Sequence, residues 1–228
     1  MPKLNYPPQH SRLTAILLGL IGGALDVFSH MRFGTLVATQ TGNIVLLISD
    51  FNNHGLESSL LKCLSILFFS IGFLTGVFVK DRAKTAFWRI HNIIPLLIVS
   101  GILPFLPHIS YLWVMLLAFS TGLLMITFTD SKIESHPYTI LMTSGNYRKM
   151  LVSWYRLIGR QKQDPAMKRQ AINYSITVVS FITGAIISAS LIHLVSDMAI
   201  WFVTLCLILV IWHYINVTIR YHLQESNL

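Results

Sequence analysis

Long apolar runs alternate with short polar connections along the whole chain. Six of the runs approach or exceed the ~20 residues that one helix needs to cross a bilayer, and they cover residues 13–30, 60–79, 93–109, 111–129, 171–194 and 198–219. The pattern predicts an all-α, polytopic membrane protein with about six spans, forming a single membrane domain over residues 1–228. The composition agrees, since 54% of the residues are hydrophobic and 11% are charged, whereas soluble domains carry about 25% charged residues.

Two further apolar segments, 33–49 and 138–151, are shorter and contain small polar residues. These residues are Thr39, Thr41, Gly42 and Asn43 in the first segment, and Thr143, Ser144, Gly145 and Asn146 in the second. Gly and Asn favour breaks and caps in helices because they adopt unusual backbone angles. A break at membrane depth is tolerated only inside protein or beside a water-filled cavity. We therefore expect two interrupted segments.

The charges of the connections predict how the chain crosses the membrane. Residues 1–12, 80–92 and 148–169 carry net charges of +2, +3 and +6, and residues 50–59 carry −2. Cytoplasmic loops collect Lys and Arg, so both termini are predicted to be cytoplasmic. The interrupted segments must then be re-entrant, the first from outside and the second from inside. The overall charge of +8 follows from this topology, and we do not predict nucleic-acid binding.

The two interrupted segments lie in similar sequences. Residues 26–43 read DVFSHMRFGTLVATQTGN and residues 130–146 read DSKIESHPYTILMTSGN. Each begins with Asp at the end of a span and ends with Thr or Ser, Gly and Asn. Together with the crossing count, this predicts an inverted repeat with halves at 12–109 and 110–220, a plan that recurs in transporters.

Asp26 is the leading candidate for chemistry, because an ionisable residue within a span is costly and often functional. Two interpretations stay open: a proton or cation site, or a carboxylate that bonds backbone N–H groups at the break or pairs with His30 or Arg32. The broken helices likewise either bind a small polar or anionic solute at their positive ends or only carry caps. The hypothetical substrate-binding residues are Asp26, Thr39, Thr41, Gly42, Asn43, Thr143, Ser144 and Asn146.

Residues 147–163 predict a basic amphipathic helix at the membrane surface. Tyr147, Leu151, Trp154 and Ile158 recur at helical spacing, and the basic residues lie elsewhere around the helix. Such a helix binds anionic lipid at the cytoplasmic face. Glycines four residues apart in the first and second spans, at 19 and 23 and at 72 and 76, predict close helix packing.

One part of the chain resembles a known family. Gly22-Gly23-Ala24-Leu25-Asp26, followed by Thr41-Gly42-Asn43-Ile44-Val45, resembles the YoaK-like family of uncharacterised small bacterial inner-membrane proteins. The resemblance implies a bacterial inner-membrane location. It implies no reaction and no proven site residues.

These observations favour a small-solute transporter or channel with its site between the interrupted segments. The alternative is a non-transporting assembly factor or sensor that acts through protein partners. The sequence contains no phosphate-binding loop, HExxH or GxSxG motif. We therefore predict no enzyme, no cofactor and no metal site, and leave a homo-oligomer open.

Overall fold

The computed structural model describes residues 6–50, 55–158 and 164–223, and most of these residues are helical. The helices are α1 (Arg12–Phe33), α2 (Gln40–Asp50), α3 (Gly55–Arg82), α4 (Trp88–Ile102), α5 (Ser110–Phe128), α6 (Ser144–Ile158), α7 (Pro165–Val195) and α8 (Trp201–Arg220). The predicted all-α class is confirmed. A short antiparallel hairpin of β1 (Lys132–Ile133) and β2 (His136–Pro137), which we did not predict, connects α5 to α6.

Five helical segments of the described chain are long and apolar enough to cross a membrane. They are Arg12–Phe33, Leu56–Arg82, Trp88–Phe105, Ser110–Phe128 and Pro165–Arg220. The last has 56 residues, whereas a helix that crosses the ~30 Å hydrocarbon layer needs about 20. It is broken by a 3-10 turn at Ser196–Ile200, where Ser196 has a φ of 53°. This turn divides the segment into α7 and α8.

The helices α2 and α6 are shorter than a membrane span. With 11 and 15 residues and a rise of about 1.5 Å per residue, they extend over roughly 16 and 22 Å. Both lengths fall below the ~30 Å of the hydrocarbon layer. One continuous helix, α6, contains the end of the predicted interrupted segment 138–151 and the start of the predicted surface helix 147–163. Residues 159–163 of the predicted surface helix lie outside the described residues.

Several helices begin earlier than the hydrophobic pattern predicts. The third predicted span began at residue 93, but α4 begins at Trp88 and carries Arg89 and Asn92 buried among other helices. The fifth was predicted from residue 171, but α7 begins at Pro165. The Asp164 side chain accepts a hydrogen bond from the backbone N–H of Ala166, which is a standard helix start. Both helices thus extend beyond their apolar runs, α4 because its polar residues are buried among other helices and α7 because a side chain caps its start.

The helices α1 and α5 form the centre of the bundle. Within their most apolar stretches, 67% and 72% of the residues are buried, against 28% to 39% in the other segments able to cross a membrane. The outer helices therefore leave many apolar side chains exposed, as expected where lipid covers them. The core lies between the central pair and the inner sides of α3, α4, α7 and α8.

Glycines allow two pairs of helices to pack closely in parallel. A Cβ atom at Gly23 of α1 would lie 2.0 Å from the Phe181 carbonyl oxygen of α7, and one at Gly72 of α3 would lie 2.0 Å from the Phe119 oxygen of α5. Neither position has room for a side chain. The predicted packing role of these glycines is confirmed.

Side-chain contacts show which helix ends share a face of the bundle. We define the terminal face by the helix ends at Arg12, Arg82, Trp88, Phe128, Pro165 and Arg220. Contacts that join these ends include Ser11 to His213 (3.0 Å) and Lys80 to Asp130 (2.5 Å). On the opposite face, Arg32 pairs with Asp197 at 2.5 Å.

Candidate functional site

Asp26 lies in α1 and fastens the loop that precedes α2. One carboxylate oxygen accepts hydrogen bonds from the backbone N–H groups of Ala38 (2.8 Å) and Thr39 (3.2 Å). The other accepts the Thr39 hydroxyl. The carboxylate is buried and faces protein, as both interpretations of Asp26 required. Its described partners are those of the backbone-bonding interpretation, because Arg32 pairs instead with Asp197.

Asn43, in the first turn of α2, fixes the same loop by a second set of bonds. Its side-chain oxygen accepts the backbone N–H of Leu36 (2.8 Å), and its nitrogen donates to the Leu36 carbonyl (2.5 Å). The nitrogen also donates to Gln40 (2.8 Å) and to Ser65 of α3 (3.2 Å). The amide of this buried residue thus pairs with both backbone groups of a residue seven positions earlier.

Asn146, in the first turn of α6, makes the corresponding bonds in the second interrupted segment. Its side-chain oxygen accepts the backbone N–H of Thr139 (2.8 Å), and its nitrogen donates to the Thr139 carbonyl (2.6 Å) and to the Met142 carbonyl (3.1 Å). Thr139 also lies seven positions before the Asn. The shared Gly-Asn motif therefore builds the same loop-to-helix junction twice.

The glycine before each Asn leaves room for this junction. A Cβ at Gly42 would meet Leu36 Cδ1 at 2.6 Å, and one at Gly145 would meet Thr139 Oγ1 at 3.1 Å. In both cases the neighbour belongs to the loop residue that the Asn holds. Small residues at these positions thus let the loop fold back onto its own helix.

The remaining predicted site residues take different positions. Thr41 is exposed in the first turn of α2, and Ser144 is exposed as the first residue of α6. The Thr143 carbonyl accepts the Tyr147 N–H at 2.8 Å. The Thr143 hydroxyl is buried and has no hydrogen-bond partner among the described residues.

The loops of both junctions contact the same side of α1. Asp26 contacts the first loop, and a Cβ at Gly22 would lie 2.6 Å from Leu141 Cα of the second. Residues four apart face the same direction on a helix and are separated by about 6 Å along its axis. The structure therefore places both predicted site segments against α1, one helical turn apart, and holds them by backbone packing and internal hydrogen bonds.

The proposed counterpart of Asp26 in the second half lies elsewhere. Asp130 is exposed at the terminal face and pairs with Lys80 at 2.5 Å. The hydrogen bond from Lys80 lowers the pKa of Asp130. Asp130 therefore does not take the position that Asp26 has in the first half, because the β hairpin separates it from the second junction, where the Leu141 backbone packs directly against Gly22.

A polar cavity of about 490 Å³ opens at the terminal face. Its walls come from the N-terminal segment, the end of α3, the start of α4 and the end of α5, and they consist of Pro7, Gln9, His10, Lys80, Asp81, Trp88, Arg89 and Asp130. These residues come from distant parts of the sequence and share no motif. Sequence reasoning missed the cavity for this reason.

The cavity walls present charged groups and unused hydrogen-bonding groups. Burial, followed by the positive charges of Lys132 and Arg89, lowers the pKa of His10, so the surroundings of this ring favour its neutral form. Gln9 and Trp88 are almost fully buried, and Gln9 Oε1 and Trp88 Nε1 have no hydrogen-bond partner in the described parts of the chain. Buried polar atoms usually find a partner, so the walls are suited to a polar ligand.

The helical segments and the exposed apolar side chains define the class: this is a multi-pass α-helical integral membrane protein. The chain belongs to the family described as a protein of unknown function (DUF1275), whose model matches residues 14–213. The match includes both junctions and both central helices. No curated protein and no solved structure gives a significant match.

Proposed function

We propose that this protein transports small polar or anionic solutes across a membrane. Its six membrane crossings in this proposal are α1, α3, α4, α5, α7 and α8. In this proposal the terminal face is cytoplasmic, because the basic connections lie there. The membrane is the bacterial inner membrane, and α2 and α6 are re-entrant arms from opposite sides. The observation that carries the proposal is that the loops of two matching, Asn-held arms contact the same side of α1.

The packing of the helices supports two halves related by an inverted repeat. Helix α1 of the first half packs against α7 of the second half. Helix α5, the counterpart of α1 in the second half, packs against α3 of the first half. Likewise α2 packs on α3 and α6 on α7, while α4 contacts α5 and α8 contacts α1. Exchanging the helices of one half for those of the other leaves this set of contacts unchanged.

Individual residues repeat the same exchange. A Cβ at Gly19 of α1 would face the carbonyl of Thr177 and the N–H of Phe181, four residues apart on α7. A Cβ at Gly122 of α5 would face the carbonyl of Phe69 and the N–H of Phe73, four residues apart on α3. Such repetition supports the predicted halves 12–109 and 110–220.

The geometry favours separate roles for the junctions and the cavity. The side-chain bonds of Asp26, Asn43 and Asn146 hold the arms, so we assign these residues to positioning the arms. The cavity, whose walls carry charged side chains and two buried polar atoms without a partner among the described residues, is the proposed solute vestibule on the cytoplasmic side. His10 connects the cavity to the β hairpin that precedes the second junction, because it lines the cavity and its carbonyl accepts the Glu134 N–H at 2.8 Å.

Solute flux into vesicles that contain the purified protein tests this function. Glycerol, glycine, acetate and inorganic phosphate serve as neutral, zwitterionic and anionic probes, and flux is followed by stopped-flow light scattering. We expect at least one probe to enter faster than into empty vesicles. Asp81→Trp, at the cavity wall, should slow that probe, whereas Lys84→Trp, exposed nearby but outside the cavity, should not.

Flux equal to that of empty vesicles for all four probes would contradict transport of these solute classes. The satisfied junctions would then fit a rigid scaffold, and the alternative of an assembly factor or sensor that acts through protein partners would be favoured. Equal slowing by Asp81→Trp and Lys84→Trp would contradict the cavity as the vestibule.

A further inference from the structure

A second depression lies between α6 and α7, follows the second junction along α6 and shares no lining residue with the polar cavity. It has a volume of about 330 Å³ and is lined by Arg148, Lys149, Val152, Ser153, Arg156, Gln170 and Tyr174. We call it the α6–α7 groove. Three of its seven lining residues are basic and none is acidic.

No acidic side chain of the described residues forms an ion pair with the basic side chains of the groove. Arg148 and Arg156 are exposed and form no ion pair among the described residues. Lys149 donates to the Pro137 carbonyl at 2.9 Å and lies 5.6 Å from the centre of the Tyr174 ring. Burial, followed by the charge of Arg148, lowers the pKa of Lys149. An anion in the groove would relieve this repulsion.

The position of the groove matches the headgroup layer. Gln170 lies five residues after the start of α7 at Pro165, which corresponds to about 8 Å along the helix axis. The polar headgroup layer on each side of a bilayer has a similar thickness of about 5 to 8 Å. An α7 that starts at the terminal membrane surface therefore places the groove among lipid headgroups.

Apolar side chains border the groove on α6. Val152 lines it and is 41% exposed, and Tyr155 and Ile158 nearby on α6 are each 80% exposed. Side chains of this kind are suited to acyl chains, whereas they gain nothing from a soluble anion. Basic depressions between membrane helices are known to bind anionic lipid headgroups.

We propose that the α6–α7 groove binds the phosphate of an anionic phospholipid, with its acyl chains against the apolar side of α6. Arg148 and Arg156 contact the phosphate, and Tyr174 and Lys149 form the floor. A lipid bound there would brace α6, and with it the second junction, against α7. The proposal is independent of solute transport, because it uses none of the residues that line the polar cavity.

Native mass spectrometry of the full-length, delipidated protein tests the groove. Phosphatidylglycerol and phosphatidylcholine are added in equal amounts, and the retained lipids are counted. The wild type should retain phosphatidylglycerol preferentially. Arg148→Gln with Arg156→Gln should reduce that preference by about 30-fold, because each basic side chain near an anionic surface contributes roughly a fivefold factor.

The matched control is Lys84→Gln with Lys168→Gln, which removes two exposed bases outside the groove. This control should keep the wild-type preference. The wild type retaining both lipids equally, or the control losing the preference as fully as the groove variant, would overturn the proposal. Inorganic phosphate that displaces phosphatidylglycerol at equal concentration would also overturn it, since the occupant would then be a soluble anion.

Discussion

At the scale of single residues, three buried polar side chains each satisfy several backbone groups of an irregular loop. Asp26 accepts two backbone N–H groups, and Asn43 and Asn146 each pair with both backbone groups of one residue. Irregular backbone at membrane depth is costly unless its polar groups are bonded within the protein. These residues therefore explain how the interrupted segments can exist inside the bundle.

Asp26 should stabilise the protein through its oxygen atoms more than through its charge. Asp26→Ala leaves two backbone N–H groups without an acceptor and should lower the free energy of unfolding by about 3 kcal/mol. Asp26→Asn keeps one oxygen for them and should lower it by only about 1 kcal/mol. Denaturant unfolding of the purified protein in detergent measures both, and an equal loss in the two variants would contradict this role.

The two Asn residues should matter equally, in line with their matching bonds. Asn43→Ala and Asn146→Ala should each lower the free energy of unfolding by about 2 to 3 kcal/mol, because each leaves a loop N–H without its acceptor and removes further side-chain hydrogen bonds. Asn92→Ala is the control. Its amide nitrogen is buried without a partner among the described residues, so its loss should cost less. A control as destabilised as the other two would refute the explanation.

Glu134 provides a stabilising cluster at the terminal face that depends on pH. Arg169 donates two hydrogen bonds to it, at 2.6 and 2.7 Å, and Asn173 donates a third. The bonds from Arg169, followed by the one from Asn173 and the charge of Arg12, lower the pKa of Glu134 from 4.5 to about 2. A lowered carboxyl pKa stabilises the folded state above the ordinary pKa, and this contribution disappears as the pH falls through the folded value.

Glu134→Gln should therefore lower the melting temperature near neutral pH. The deficit relative to the wild type should shrink as the pH falls from about 4.5 towards 2. Glu57→Gln is the control, because Glu57 is exposed and has no ion pair in the described residues. A Glu134→Gln deficit that stays constant across this range would show that the charge of Glu134 is not responsible.

At the scale of helices, glycines determine which pairs approach most closely. The Cβ positions at Gly23, Gly72, Gly122 and Gly184 would all lie within 2.3 Å of a carbonyl oxygen on the facing helix. Backbone oxygens cannot rotate away as a side chain can. The parallel pairs α1 with α7 and α3 with α5 therefore depend on these positions.

Alanine at these glycines should separate the helices. Gly23→Ala and Gly72→Ala should each lower the free energy of unfolding by about 1 to 3 kcal/mol through overpacking. Gly101→Ala should leave it nearly unchanged, because the nearest atom, Thr204 Cγ2, would lie 4.0 Å away. Unfolding in detergent compares the three, and a Gly101→Ala variant as unstable as the others would contradict the packing argument.

The sequence predicts local features of these elements better than distant ones. The junctions use residues within one segment, so the repeated Gly-Asn motif located both of them. The start of α4 was missed because Arg89 resembles a loop charge, although it lies buried and donates to the Thr127 carbonyl of α5. The polar cavity was also missed, because its wall residues are distant in sequence and only the folded chain brings them together.

At the scale of the whole molecule, α1 packs against α7 and α5 packs against α3, which is the contact pattern that the proposed inverted repeat predicts. This arrangement gives a specific relation between the helix ends. Asp81 and Lys168 lie at the terminal face, and Glu57 and His108 lie at the opposite face. If α6 crossed the membrane fully, Asp81 and Lys168, which share a face here, would lie on opposite sides of the membrane. A full crossing by α2 would separate Arg12 from Asp81 in the same way.

Cysteine labelling in intact cells tests this central claim most directly. Single cysteines replace Glu57, Asp81, His108 or Lys168 in a chain that lacks Cys63 and Cys206, and a membrane-impermeant thiol reagent is added before or after lysis. We predict that positions 57 and 108 react in intact cells and that positions 81 and 168 react only after lysis. Labelling of positions 57 and 81 from the same side, or of positions 81 and 168 from different sides, would contradict the six-crossing fold with two re-entrant arms.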